Sequence, residues 1–360
     1  MDEPCPKCGE CLANGYRFCT GCGRRLDVPG GDCPACPLSR ANGYNYCIGC
    51  GRPLTPSASP SESPDQRYEP EIKETGTVYL ISILLSIGIL VFVSVVSIVF
   101  IFAHLNEALQ GMNVAYFAFL FIIYALCLGY AIRHFVMRLM VDDDEERNLG
   151  IMNSGLAGAG FNMAFSMLVS LVILNICSLI EPVEPSFLDE YTDYQLAVLM
   201  LMAGPEEELI FRILPIGLPM AIICLIKGRD HCAKYLVGGF GMSQTALVLI
   251  VVSAIIFGLA HIEGWSLLKV PQIVICGLID GYVFVTYGVY ATVIAHSAFD
   301  SLSTLDCIAG GVADASCIML LILGIPMAVL VLKHLDGFIH PEPGLGKEPP
   351  ETLRDMWRLH

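Results

Sequence analysis

Eight stretches of the chain are apolar for about the 20 residues that a helix needs to cross a bilayer core. They run from Val78 to Phe102, Val114 to Phe135, Leu156 to Leu179, Leu196 to Ile226, Ala246 to His261, Leu267 to Tyr287, Val289 to Ile308 and Cys317 to Leu332. The fourth is long and interrupted by Gly204-Pro205, and the sixth and seventh have almost nothing between them. Polar residues gather in the connections, and their signs alternate. Basic residues occur in the second connection (Arg133, Arg138, Arg147), the fourth (Lys227, Arg229, Lys234) and the tail (Lys333, Lys347, Arg354, Arg358). The third connection is acidic, through Glu181, Glu184, Asp189, Glu190 and Asp193; Lys269 is the one basic exception on that side. Because short loops rich in Lys and Arg stay in the cytoplasm, this pattern predicts eight spans with both termini inside.

The first 54 residues follow a different rule. Cys5 and Cys8 precede Cys19 and Cys22, and the layout returns 28 residues later as Cys33, Cys36, Cys47 and Cys50. The residues between repeat as well: Ala13-Asn14-Gly15-Tyr16 matches Ala41-Asn42-Gly43-Tyr44. Two C-x-x-C knuckles place four thiolates around one Zn²⁺, and a unit this small needs metal binding to supply its folding free energy. Two Cys₄ zinc ribbons, hence two structural Zn²⁺, are expected. Disulfides are the competing explanation, disfavoured by the knuckle spacing and by a start without the basic and apolar regions of a signal peptide. Cys11 has no counterpart in the repeat, where Ser39 stands, and reads as a spare thiol. The head is similar to the double zinc ribbons at the ends of many prokaryotic proteins, which implies partner binding. A Ser/Pro/Glu-rich stretch then reads as a flexible linker.

The fold class expected is thus an all-α polytopic membrane bundle of about eight transmembrane helices, preceded by two small β zinc-ribbon modules. Its domains are 1–54 (double ribbon), 55–76 (linker), 77–335 (membrane domain) and 336–360 (cytosolic tail). Composition agrees: 55% of the residues are hydrophobic and 15% charged, against about a quarter charged in soluble domains. A net charge of −15 without clustered Lys and Arg argues against nucleic acid as a partner.

Ionisable groups inside a span cost about 2.5 kcal/mol or more each on insertion scales. The fourth span holds Glu206, Glu207, Glu208 and Arg212, the fifth ends at Phe257 and His261, the sixth holds Asp280, and the seventh holds His296 and Asp300. On a helix Glu208 and Arg212 share a face, so they pair and leave Glu207 turned about 100° away. That pair either fixes helix packing or serves catalysis. Asp280 has no motif around it and is expected only to hydrogen-bond a neighbouring helix. A glutamate among histidines is what water activation needs: the carboxylate takes the proton, a histidine orients the water, and donors opposite stabilise the oxyanion.

The order Glu-Glu-x-x-x-Arg (Glu207, Glu208, Arg212), Phe-x-x-x-His (Phe257, His261) and His-x-x-x-Asp (His296, Asp300) resembles the CPBP family, also called ABI, of CAAX-protease and bacteriocin-processing membrane proteins. The resemblance covers roughly residues 77 to 335, and eight spans with cytosolic termini agree with its type II CAAX prenyl endopeptidase branch. It implies an intramembrane endopeptidase in which Glu207 is the general base assisted by His261, His296 and Asp300 line the oxyanion side, and Glu208, Arg212 and Phe257 support them. The related proteases carry Asn where this chain has Asp300, so Asp300 must be protonated, orient His296 or help hold a metal. Glu and His ligands suit a catalytic Zn²⁺, and the H-E-x-x-H spacing that would decide the matter is lacking; a metal-free glutamate mechanism is favoured.

The substrate expected is a peptide or protein at the membrane. Prenylated CAAX ends require a host that prenylates proteins, which a prokaryotic-looking head argues against. The alternative is a non-catalytic scaffold whose ribbons recruit a cytosolic partner while its helices bind membrane lipid or protein. Either way the protein is expected in a prokaryotic cell membrane.

Overall fold

The computed structural model describes residues 69–180, 190–228 and 231–333, with Leu335 and Ile339. The expected zinc ligands from Cys5 to Cys50 lie outside the described residues.

All regular structure among the described residues is helical. In chain order come α1 (Glu69–Ala103), α2 (Leu105–Ala108), α3 (Val114–Leu139), α4 (Asp144–Met152), α5 (Gly155–Ser178), α6 (Asp193–Glu208), α7 (Leu218–Ile226), α8 (Gln244–Ala260), α9 (Val270–Tyr287) and α10 (Val289–Lys333). A π-helical stretch, Leu209–Gly217, joins α6 to α7. Short polar side chains mark where the membrane helices begin. Asn113, Ser154 and Ser243 accept the N–H three residues on, and Thr192 forms a reciprocal capping box with Gln195. Each satisfies orphan amides that would otherwise enter the apolar layer bare.

Six helical stretches are long and apolar enough to cross a membrane: Thr77–Ala103, Val114–Leu139, Gly155–Ser178, Asp193–Ile226, Leu267–Tyr287 and Val289–Lys333. All eight apolar stretches of the sequence fall on helices, yet the count differs for two reasons. Gln244–Ala260 has only 17 residues, and the last two stretches share the single element α10. Straight, that 45-residue helix would measure about 68 Å. It breaks at Ala309, where φ is −157° and ψ is 65°. Tyr290 at its start packs on Gly155 of α5, while Gly324 near its end packs on Ala164 and Leu168 of the same helix. Those α5 positions are about 14 to 20 Å apart, whereas residues 290 and 324 of a straight helix would be about 51 Å apart. The two legs of α10 therefore fold back on each other, as the seventh and eighth sequence spans require.

Small residues set how closely these helices approach. Within lipid there is no hydrophobic gain from helix association, so backbone proximity and packing drive it. Along α5, a side chain at Gly155 or Gly158 would collide with the rings of Tyr290 or Tyr287, and one at Gly160 would press on α1 at Ile83 and Ile87. The turn between α9 and α10 is Gly288 alone, at φ 100°, a conformation that a residue with a Cβ rarely adopts. Around this packed centre, large apolar side chains such as Val99, Leu126, Ile176, Val248 and Ile322 point outward, which suits a lipid-facing surface.

At the end of α7, Cys224 and Cys232 form a disulfide, Cα to Cα 5.4 Å. Their spacing of eight residues matches no sequence motif that would reveal the pairing.

Candidate active site

Two prolines shape the helix that carries the glutamates. An α-helix bonds the N–H of residue i to the carbonyl of residue i−4, and proline has no N–H. Pro205 thus leaves the Leu201 carbonyl free, and Ser297 of α10 donates its hydroxyl to it at 2.7 Å. Pro215 leaves the Phe211 carbonyl without its α-helical donor, and the backbone widens into the π-helical stretch. The Phe211 carbonyl accepts from Ser253 of α8 and from Arg212 Nη1, the latter at 3.1 Å. Gly204 completes the contact, since a Cβ there would lie 2.6 Å from the Val293 carbonyl. Carbonyls released by proline are thereby satisfied by neighbouring helices, a requirement at membrane depth. The glutamates stand fixed beside the two helices that bear the histidines.

Behind the glutamates lies a sealed ionic network. Glu208 and Arg212 are wholly buried and pair at 3.2 Å between Oε2 and Nε, the contact that their spacing predicts. The guanidinium also reaches Asp280 Oδ2 of α9 at 3.0 Å through Nη2 and Ser253 Oγ at 3.2 Å through Nη1. Its carbon sits 4.9 Å from the centre of the Phe257 ring. Asp280 accepts at its other oxygen from Asn162 Nδ2 of α5, at 2.6 Å. The hydrogen bond expected of Asp280 is present, but Asp280 is also the second carboxylate on Arg212, which the sequence reading did not foresee. One buried cation so unites groups from α5, α6, α8 and α9.

In front lies an open half. Glu207 is 25% exposed, and its Oε2 stands 3.7 Å from His261 Nε2 and 3.5 Å from His296 Nε2, too far for a firm hydrogen bond to either. His261 ends α8, and its Nδ1 donates to the Phe257 carbonyl at 2.9 Å. That bond places the proton on Nδ1 and turns the Nε2 lone pair toward Glu207. His296 links the two halves: Nδ1 meets Glu208 Oε1 at 2.9 Å, while Nε2 meets Asp300 Oδ2 at 3.3 Å. Both ring nitrogens face carboxylates, so the ring is held in one orientation. Phe257 wedges between the halves, its ring centre 4.7 Å from that of His261 and 6.0 Å from that of His296. Glu207, His261, His296 and Asp300 all line a cavity of about 590 Å³ whose remaining wall includes Met200, Phe211 and Phe299.

Glu208, Asp280 and His296 offer donor atoms within 4.8 Å of one another, the spacing a metal site requires. The donors do not fit a metal as they stand. Glu208 Oε2 and Asp280 Oδ2 already hold the guanidinium of Arg212, and Glu208 Oε1 holds the His296 ring. A divalent ion there would have to displace a buried arginine.

The structure thus brings together Glu207, Glu208, Arg212, Phe257, His261, His296 and Asp300, from three separated segments of sequence. It adds Asp280, Asn162, Ser253 and Ser297, whose partners lie 41 to 118 residues away and which no local pattern could disclose.

Residues 192–302 match the family model described as Rce1-like, type II CAAX prenyl endopeptidase Rce1-like. No curated protein and no solved structure matches the chain. The matched segment begins at the capping residue of α6 and ends on the first leg of α10, so every residue of the open half falls inside it. The chain is an integral membrane protein of multiple apolar helices, and across residues 192–302 it is similar to the Rce1-like type II CAAX prenyl endopeptidase model, a protease family.

Proposed function

We propose that the protein is an intramembrane endopeptidase in which Glu207 activates the attacking water. The observation that carries this is the unpartnered Oε2 of Glu207, on a residue that lines the cavity. That oxygen faces two imidazole nitrogens at 3.5 and 3.7 Å, bonded to neither, and both histidines line the cavity as well. A water seated there gives one proton to Glu207 and its second hydrogen bond to the lone pair of His261 Nε2. Its oxygen attacks the peptide carbonyl, and the new C–O bond pushes negative charge onto the carbonyl oxygen. His296, held from behind by Glu208, presents Nε2–H to that oxyanion. On collapse the C–N bond breaks, and the proton held by Glu207 passes to the leaving amine.

Asp300 fills a place that related proteases give to Asn. At rest its Oδ2 stands 3.3 Å from His296 Nε2 and accepts that N–H; in this reading the oxyanion takes the hydrogen bond over as it forms, so Asp300 orients the donor rather than donating itself. Arg212 supplies the local positive charge, and no metal enters the mechanism. The substrate is a peptide at the membrane, prenylated only where the host prenylates proteins; the N-terminal cysteines bind two Zn²⁺ and a cytosolic partner.

The test is Glu207→Gln in the purified full-length protein in nanodiscs. Peptide cleavage is expected to fall by about 10²- to 10⁴-fold while the melting temperature holds. Undiminished cleavage would sink the assignment.

A further inference from the structure

Far from the cavity, α3 ends in two basic side chains that have no polar partner among the described residues. His134 and Arg138 stand one turn apart on one face of the helix. Both are half-buried, and His134 is close enough to sense the charge of Arg138. His134 Nδ1 and Arg138 Nε are buried without a hydrogen-bond partner, and neither residue forms an ion pair with a described carboxylate. Of the acids in the connection that follows, Asp144 is engaged by Arg147.

The neighbouring helices hold the pair in place. Arg138 lies across α4, where a side chain at Gly150 would come within 2.9 Å of its Cδ. The Tyr130 ring stacks on that of His134, centres 6.2 Å apart, and meets Tyr290 of α10 edge-on at 4.6 Å. A guanidinium and an imidazole confined side by side repel when both are charged, and donors left bare in an apolar setting carry a desolvation cost. An anion bound by both removes the two penalties together.

Depth says which anion. The 26 residues of α3 measure about 39 Å, against a hydrocarbon core of about 30 Å. About 4.5 Å therefore projects at each end, which puts Arg138 at the level of the headgroups and His134, about 6 Å deeper, at the edge of the hydrocarbon. The phosphate of a phospholipid lies in that layer. Its oxygens match the paired donors of a guanidinium. The basic connection after α3 marks this end as cytoplasmic, the side on which basic pockets between helices take anionic headgroups. Ile132, Val136 and Met140, all exposed and four residues apart on the same helix, offer a stripe for acyl chains.

We propose that His134 and Arg138 form a binding site for a phosphate group, presented by an anionic phospholipid of the cytoplasmic leaflet. The site stands independently of the peptidase reading. Full-length protein in detergent micelles is titrated with dihexanoyl phosphatidylglycerol, with dihexanoyl phosphatidylcholine and with inorganic phosphate, and affinity is read from the rise in melting temperature. The anionic lipid is expected to bind about 10-fold or more tightly than the zwitterionic one. Arg138→Gln should erase that preference, Arg138→Lys should keep most of it, and His134→Leu should weaken the anionic lipid severalfold. Arg147→Gln should change nothing, because Asp144 already holds that charge. Equal binding of the two lipids by the parent would overturn the site, as would an equal loss in Arg147→Gln, since binding would then follow the general charge of the connection. Inorganic phosphate that binds as tightly as the anionic lipid would overturn the assignment to a headgroup. Because Arg138→Lys keeps the charge, a defect in Arg138→Gln that Arg138→Lys lacks, at equal melting temperature without lipid, separates lost binding from lost folding.

Discussion

Glu207 and Glu208 are neighbours with the same side chain, and they have opposite surroundings. Glu208 is 0% exposed and engaged at both oxygens, Oε2 in an ion pair with Arg212 and Oε1 in a hydrogen bond with His296. Glu207 is 25% exposed and bonded firmly to neither of the histidines it faces. A turn of about 100° between successive helix positions is enough to separate them: one points into the bundle, the other into the cavity. The difference shows how an arginine in a membrane helix can serve a reaction that it does not touch. By neutralising Glu208, Arg212 allows a second carboxylate to remain beside it uncommitted, and by anchoring Glu208 it fixes the histidine ring across from Glu207.

The comparison can be broken from either side. The largest effect is expected from Glu207→Gln, which removes the base and should cost about 10²- to 10⁴-fold in rate with folding intact. Arg212→Ala attacks the sealed half and should do the reverse. It strands two buried carboxylates, so the folded state should lose about 3–5 kcal/mol, seen as a collapse in detergent-stable yield and melting temperature. Ser297→Ala removes the donor to the Leu201 carbonyl and should cost about 1–3 kcal/mol, read from thermal unfolding, with cleavage reduced because α10 carries His296. The smallest effect is expected from Asp300→Asn. An amide can still accept from His296 and can also donate to an oxyanion, so cleavage should stay within about tenfold of the parent. A loss larger than that of Glu207→Gln would place Asp300, and not Glu207, at the centre of the chemistry.

Much of the membrane domain could be read in the sequence because its signals are local. Apolar runs of bilayer length mark the helices, and the four-residue spacings of Glu208 with Arg212 and of His296 with Asp300 place each pair on one face. What escaped depends on contacts between distant segments. Asp280 sits beside an unremarkable glycine, and only folding brings it to Arg212, 68 positions earlier. The prolines at 205 and 215 were visible, but Gly204-Pro205 read as an interruption of the span. The helix in fact runs through Pro205 to Glu208 because Ser297 takes over the released carbonyl, a donor that only tertiary structure can supply. The single span boundary between α9 and α10 was also blurred, since one glycine suffices for the turn.

The hairpin of α10 bears on how such a protein enters the membrane. Its first leg is buried among the other helices from Ala291 to Leu305 and bears His296 and Asp300. Its second leg shows Ile318, Met319, Ile322, Ile325 and Leu332 to the outside. Charged positions make the first leg a poor substrate for insertion alone, whereas the second is strongly apolar. Joined through Ala309, the two legs enter most readily as one unit, the apolar leg that follows offsetting the insertion cost of the polar leg that precedes it. In chain order His296 and Asp300 follow α6 and α8, so the candidate site is complete only once this hairpin has entered.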